Sequence, residues 1–452
     1  MMWCWMAGLA LAGPHGDQMA QFGGAGPTAA GSARAAVVGA APMPPPTVGP
    51  DMMVYGYLAY WDDDLASLPW DELSHLAIFA AEATTAGGLE ATDRWDIAAD
   101  AVAMAAPYGV EVHLVVINFD REELRTLLGD GQARTNLVAE LADWKALTGA
   151  HGINVDFENL PGDRRDEMVD FVQDLEAAVG DVVLATPSVD WSDAWDYATL
   201  TDHADLFIMG YGYHWSGATY AGPMDPLYAG SGTVWEGVNS FSLSWSANDY
   251  LSAGADPDRI ILGLPLYGMR WPTATDAVPS VAQASGSAVV FSEAWSAASA
   301  HGQTYEPDSM SLHTHDGVDQ IWFGDVSTVA DRVTYARDVA GVGGIGFWAL
   351  HYDDDDPAMW AMLHDETTWS TTTPGTTDTG TAPTTDTGTA PTTDTDTGTT
   401  PTGTTDTDGS EPRTDDPSAQ AVAPPPPEKA GCGCENGRSA GGSSVLARRR
   451  AR

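Results

Sequence analysis

The chain has 452 residues, with 64 acidic side chains against 19 basic ones, a formal net charge of −45. A hydrophobic fraction of 43% and 17 tryptophans exclude wholesale disorder and supply enough apolar surface for a large core. The only lysines are Lys145 and Lys429, and this composition argues strongly against the clustered basic surface that phosphate binding needs, so nucleic acid is not an expected partner.

In chain order, Met1 to Gly13 is apolar and rich in small residues, which suggests a signal peptide although a positive n-region is missing. Residues 14–50 are Ala-, Gly- and Pro-rich and end in Pro44-Pro45-Pro46. They read as a disordered leader without usable periodicity. Residues 51–369 have globular texture. Residues 370–430 form a Thr/Asp/Gly/Pro-rich linker, in which Thr-Thr-Asp-Thr-Gly-Thr-Ala-Pro occurs at 376–383 and again at 384–391. Residues 431–452 carry Cys432-Gly433-Cys434 and Arg448-Arg449-Arg450, resembling a degenerate bacterial surface-sorting tail without its hydrophobic helix. Cys4, Cys432 and Cys434 all lie outside the globular part, so that part folds without disulfides or Cys-ligated metal. No run reaches the roughly 18 apolar residues of a membrane-spanning helix. These features predict a secreted or cell-surface protein, expected to be a monomer.

Within the globular part eight short apolar runs have strand character: Val54–Trp61, Leu73–Ala80, Val110–Asn118, Ile153–Glu158, Val182–Thr186, Leu206–Tyr213, Ile260–Tyr267 and Ile345–Leu350. Most are separated by helix-length stretches with apolar residues three and four apart, such as Met168-Phe171-Val172-Leu175-Val179. Eightfold strand–helix alternation predicts an α/β fold, a (β/α)8 TIM barrel. A doubly wound sheet has the same rhythm, but no Gly-x-Gly-x-x-Gly follows the first strand. The long gap at about 272–343 predicts a small α+β insertion between strands seven and eight.

The most informative segment is His151-Gly152-Ile153-Asn154-Val155-Asp156-Phe157-Glu158-Asn159. Residues two apart share a strand face, so Asn154, Asp156 and Glu158 point together into the barrel. Such groups are costly there unless paired or working, and they sit at the carboxyl end of a strand, where barrel enzymes place their sites. Neighbouring carboxylates repel, so the more enclosed one should hold its proton to higher pH, as a general acid requires.

The segment resembles the Asp-Gly-x-Asp-x-Asp-x-Glu signature of family 18 glycoside hydrolases, the chitinase-like barrels. Its Gly-Ile-Asn-Val-Asp-Phe-Glu-Asn-Leu-Pro is similar to the spore-cortex-lytic N-acetylglucosaminidase branch. Three further stretches continue the likeness in order: Asp205 to Tyr211, Ile261 to Gly268 and Gly344 to Trp348. The resemblance implies a retaining hydrolase of β-linked N-acetylglucosamine glycans, chitin-like or peptidoglycan, working by substrate-assisted catalysis. It implies Glu158 as general acid, Asp156 as the group orienting the sugar's acetamido, and Tyr211 as its hydrogen-bond donor. Trp348 is implied as the floor of the sugar site. Asn154, Tyr57, Phe79, Met209 and Trp215 are the further substrate-binding candidates, Met209 mainly through packing.

Two departures stand out. His151 and Asn154 occupy the signature's first two acidic positions, and Gly212 replaces the usual acidic residue after Tyr211. Trp191, Trp195 and Trp271 fall in predicted loops, as Trp215 does, and are candidate cleft walls. No cofactor or metal is expected: Asp353–Asp356 lacks calcium-ligand spacing, and His313-Thr314-His315-Asp316 is isolated. The alternative to an enzyme is a lectin-like, glycan-binding barrel, but such a barrel typically loses the acid that Glu158 retains.

Overall fold

The computed structural model describes residues 14–23 and 52–367. The expected signal peptide, the remainder of the leader, the linker and the basic tail lie outside the described residues. Eight parallel strands appear where eight were expected: β1 (Met53–Ala59), β2 (His75–Ala83), β3 (Glu111–Asn118), β4 (Gly152–Phe157), β5 (Asp181–Pro187), β6 (Asp205–Met209), β7 (Ile260–Pro265) and β8 (Gly344–Trp348). Each pairs with its sequence neighbours, and β1 pairs with both β8 and β2, which closes the sheet into a barrel. Helices including Gly131–Thr148 and Arg165–Val179 turn Leu137 and Leu141, and Phe171, Val172 and Leu175, inward, the 3.6-residue stripe that buries one helix face.

The expected α+β insertion is present and begins a few residues earlier than the sequence suggested. The run beginning at Ile260 breaks at Pro265, and Tyr267–Pro272 leaves the barrel to pair antiparallel with Ser287–Val290 and Asp319–Phe323. With Ser311–His315, Thr304–Glu306 and the helix Phe291–His301 this makes a five-stranded α+β lobe between β7 and β8.

Aromatic rings fill the barrel interior, and two glycines make the room. A Cβ on Gly346 of β8 would come 2.3 Å from Phe207, and one on Gly263 of β7 would come 2.4 Å from the same ring. Phe207 in turn packs edge-on against Tyr57 at 5.1 Å. At the lower end His113 bridges Tyr55 and Asp181, passing the side-chain-free Gly152. His75 hydrogen-bonds Ser74 and lies 3.7 Å from Glu111.

One expectation is corrected. Pro14–Phe22, assigned to a disordered leader, is a helix, α1. Pro14 stands at its first position, where a missing N–H costs nothing, and Asp17 complements the helix dipole in the first turn. His15, Gln18, Met19 and Phe22 follow the i, i+3, i+4, i+7 rule, but two of the four are polar. The stripe is therefore invisible to a search for apolar periodicity. Nine residues are too few for a stable isolated helix, so α1 persists because it is seated on the barrel.

The glycine packing is directly testable. Gly346→Ala should overpack the ring layer, costing roughly 1–3 kcal/mol, and lower the thermal midpoint by several degrees. Phe207→Leu in the same chain should recover part of the loss. An unchanged midpoint in Gly346→Ala would mean that Phe207 does not need the space.

Candidate active site

At the upper end of the barrel, Asn154, Asp156 and Glu158 are buried and gathered from one strand face, as the alternation predicts. Asn154 Nδ2 donates to the hydroxyls of Tyr55 (3.1 Å) and Tyr57 (2.9 Å). Asp156 Oδ1 and Glu158 Oε1 are both buried with no hydrogen-bond partner among the described residues. Trp348, at the end of β8, is fully buried, with its ring 4.8 Å from Phe79 and 5.5 Å from Tyr57. Tyr211 follows β6 and turns its hydroxyl into the same space. Glu158, Asp156, Tyr211, Asn154, Trp348, Tyr57 and Phe79 therefore form one cluster.

α1 lies across this cluster. His15 is fully buried, its Nδ1 2.7 Å from Asp156 Oδ2 and its Nε2 2.5 Å from the Tyr211 hydroxyl. Its ring sits 3.9 Å from that of Trp348, centroid to centroid, while Trp348 Nε1 donates to Gln18 Oε1 at 2.9 Å. On one flank an open pocket of about 290 Å³ is walled by Glu158, Met209, Trp191, Trp195 and Trp215. On the other a pocket of about 190 Å³ reaches Tyr211 and Tyr267.

The expected cleft tryptophans divide. Trp191 is 75% exposed and Trp215 42%, as cleft walls should be, whereas Trp195 lines the pocket but is itself buried. Trp271 is no wall. It is fully buried in the insertion sheet, where a Cβ on Gly286 would meet its indole at 2.5 Å. His15, Gln18, Tyr55 and Tyr267 were not singled out from the sequence. Tyr55 could have been found by counting back two from Tyr57 on β1; Tyr267 was masked by reading Ile260–Tyr267 as one strand.

Among the described residues two separate groups each bring their possible ligand atoms within 4.8 Å of one another: His15, Asp156 and Glu158 at the upper end, and His75, Glu111, His113 and Asp181 at the lower end. In the first group His15 hydrogen-bonds Asp156, and in the second His113 hydrogen-bonds Asp181 while His75 lies 3.7 Å from Glu111.

Burial raises the Glu158 pKa well above the usual carboxyl range, and the negative Asp156 beside it adds to the shift. The backbone N–H groups of His15 and Gly16 pull the other way without cancelling it. A raised pKa keeps Glu158 protonated where an exposed glutamate would be ionised, the state a proton donor needs. The sign is testable. Asp156→Asn removes the repelling charge, so the Glu158 titration midpoint, followed by NMR of ¹³C-labelled glutamate carboxyls, should move down. An unchanged or higher midpoint would contradict the electrostatic account.

Comparison with known proteins places this geometry. YdhD of Bacillus subtilis, a candidate sporulation-specific glycosylase, is 24% identical over 257 residues, covering 54% of this chain and 57% of its own. A chitinase of Autographa californica nuclear polyhedrosis virus is 24% identical over 242 residues, 47% of this chain and 42% of its own. The chain thus spans about half the length of these curated relatives. Among solved structures, a GH18 chitinase from Cycas revoluta in complex with (GlcNAc)3 superposes with a TM-score of 0.62 at 20% identity, covering 70% of this chain and 99% of its own. A GH18 N-acetylglucosaminidase from Paenibacillus barengoltzii does so with 0.60 at 15% identity and the same coverage. At these identities the superpositions speak for the fold. Residues 53–353 match the family model of the Glycosyl hydrolases family 18, and the chain belongs to that family.

Proposed function

We propose that the barrel is a retaining glycosidase that cleaves β-linked N-acetylglucosamine glycans, chitin-like or peptidoglycan, by substrate-assisted catalysis. The observation that carries the reading is Glu158, which is buried, favoured in its protonated form and has one oxygen without a partner, beside an equally buried Asp156. Relatives named chitinase and N-acetylglucosaminidase support the substrate class. The apolar N-terminal stretch and the spacer-like linker support a secreted or surface-held protein.

The chemistry runs in two steps. The sugar rests on Trp348, an aromatic face suited to the C–H-rich side of a pyranose. Its acetamido oxygen attacks C1 as the glycosidic C1–O bond breaks, and Glu158 gives its proton to the departing oxygen. This leaves an oxazolinium ring fused to the sugar. Asp156 accepts a hydrogen bond from the acetamido N–H and balances the positive charge, and Tyr211 donates to the acetamido oxygen. The Asp156 interaction strengthens as positive charge develops, so it lowers the barrier rather than only binding substrate, while the Tyr211 hydrogen bond orients the acetamido group for attack. Water then attacks C1, Glu158 takes its proton, and the ring reopens. Two inversions at C1 give net retention.

Glu158→Gln keeps shape and hydrogen bonding but has no acidic proton. Hydrolysis of soluble chitooligosaccharides and of purified peptidoglycan should fall at least ~10²–10⁴-fold, with oligosaccharide binding retained. The comparison is made in the full chain carrying His15→Ala and Gln18→Ala, since α1 fills the site. Unchanged hydrolysis in Glu158→Gln would overturn the acid assignment. Binding without hydrolysis in the parental Glu158 chain would favour a lectin-like barrel.

A further inference from the structure

α1 precedes the family-matched segment, which begins at residue 53, yet its inward face contacts every group to which the mechanism assigns chemistry. His15 bonds Asp156 and Tyr211, and stacks on Trp348. The backbone N–H groups of His15 and Gly16 point at Glu158, whose carboxyl lies 3.8 Å from His15 Nδ1. Gln18 takes the Trp348 indole N–H. A surface helix adhering by apolar contact alone would not select these partners.

The contacts have a chemical logic. One neutral imidazole tautomer satisfies both ring bonds: Nδ1–H donates to the Asp156 carboxylate, and the Tyr211 hydroxyl donates to Nε2. The acetamido group of a bound sugar would present the same pair, an N–H to Asp156 and an acceptor oxygen to Tyr211. Its cyclised form is likewise a flat five-membered ring bearing nitrogen. The imidazole is thus a peptidic stand-in for the group that the site is built to hold.

Outer contacts hold the helix without touching the proposed chemistry. Gln21 bonds Ala288 of the insertion lobe through both amide atoms, at 2.9 and 3.2 Å. Ser216 donates to Asp17 (2.8 Å), and Tyr60 donates to the carbonyl of Gly23 (3.3 Å). The segment is tethered through residues 24–51, which are Ala-, Gly- and Pro-rich. Because α1 and the barrel belong to one covalent chain, the helix is presented intramolecularly, at an effective concentration above that of a free peptide, so even a weak peptide ligand can occupy the site. Because nine residues make a marginal helix when free, ordering α1 on the barrel offsets part of the gain from its contacts, and the seat stays reversible.

We propose that α1 is a built-in competitive inhibitor, laying His15 in the N-acetyl pocket of its own barrel so that glycan enters only when the helix leaves. This rests on the function proposed above and adds its control. Cutting or displacing the tethered segment activates the chain, and the pocket accepts peptides that present an imidazole from a helical turn.

The test uses three preparations: the full chain, the full chain with His15→Ala and Gln18→Ala, and that variant with added peptide Pro14–Phe22. Hydrogen exchange of amides 15–22 reports whether the helix is seated, independently of any activity. In the parental chain these amides should be protected, and in the variant they should exchange at least tenfold faster. The variant should hydrolyse N-acetylglucosamine pentamer at least tenfold faster than the parent at low substrate, and the peptide should inhibit it competitively. Unprotected amides in the parental chain, equal hydrolysis by an active parent and its variant, or non-competitive inhibition would each overturn the proposal. If the variant binds pentamer tighter than the parent does, by calorimetry, yet neither cleaves it, the inhibitory seat stands and the hydrolase reading falls. A variant that neither binds nor cleaves sinks both.

Discussion

Two carboxyl groups buried on one face of one strand set the terms for this molecule. Asp156 and Glu158 lie inside a barrel of aromatic and aliphatic side chains, where an isolated ionised carboxylate is expensive. Both cannot comfortably carry charge, so burial and mutual repulsion push Glu158 toward its protonated form. The surroundings make the pair tolerable. Tyr55 and Tyr57 anchor Asn154 below it, Tyr211 stands across from it, and Trp348 closes the floor. Gly263 and Gly346 leave room for Phe207, which holds Tyr57 in place. The same features that make the pair costly are the ones that the proposed proton delivery and cation stabilisation would use.

Much of this was legible in the sequence, because strand alternation is a strict rule. Asn154, Asp156 and Glu158 share a face whatever the tertiary details, and eight strand runs in a helical rhythm have few architectures open to them. Boundaries were less legible. The run at 260–267 continues in hydropathy through Pro265, yet the chain leaves the barrel there because Tyr267–Pro272 pairs in another sheet. Trp271 looked like a cleft wall for the same reason: a glycine at 286, distant in sequence, creates the slot that buries it.

α1 was illegible for a different physical reason. Helix patterns are recognised by the apolar stripe that faces a core, and α1 faces a polar site. Its inward residues His15 and Gln18 are chosen for hydrogen bonds, so a helical period exists without a hydropathy signal. A segment that packs against a catalytic cleft should often escape notice in this way. The departure at Asn154 fits the same local view. With an amide rather than a carboxyl at that position, the two tyrosine hydroxyls find a donor, and Asp156 has no deeper acidic partner on its strand.

The proposed chemistry has one direct readout. If the acetamido oxygen displaces the leaving group before water arrives, C1 is inverted twice. With α1 removed from the site by His15→Ala and Gln18→Ala, ¹H NMR of chitooligosaccharide cleavage should show the β-anomer forming first, with the α-anomer rising only at the slower rate of mutarotation. An α-anomer formed first would require a single inversion by water, and would contradict the roles of Asp156 as acetamido partner and Glu158 as acid in a double displacement.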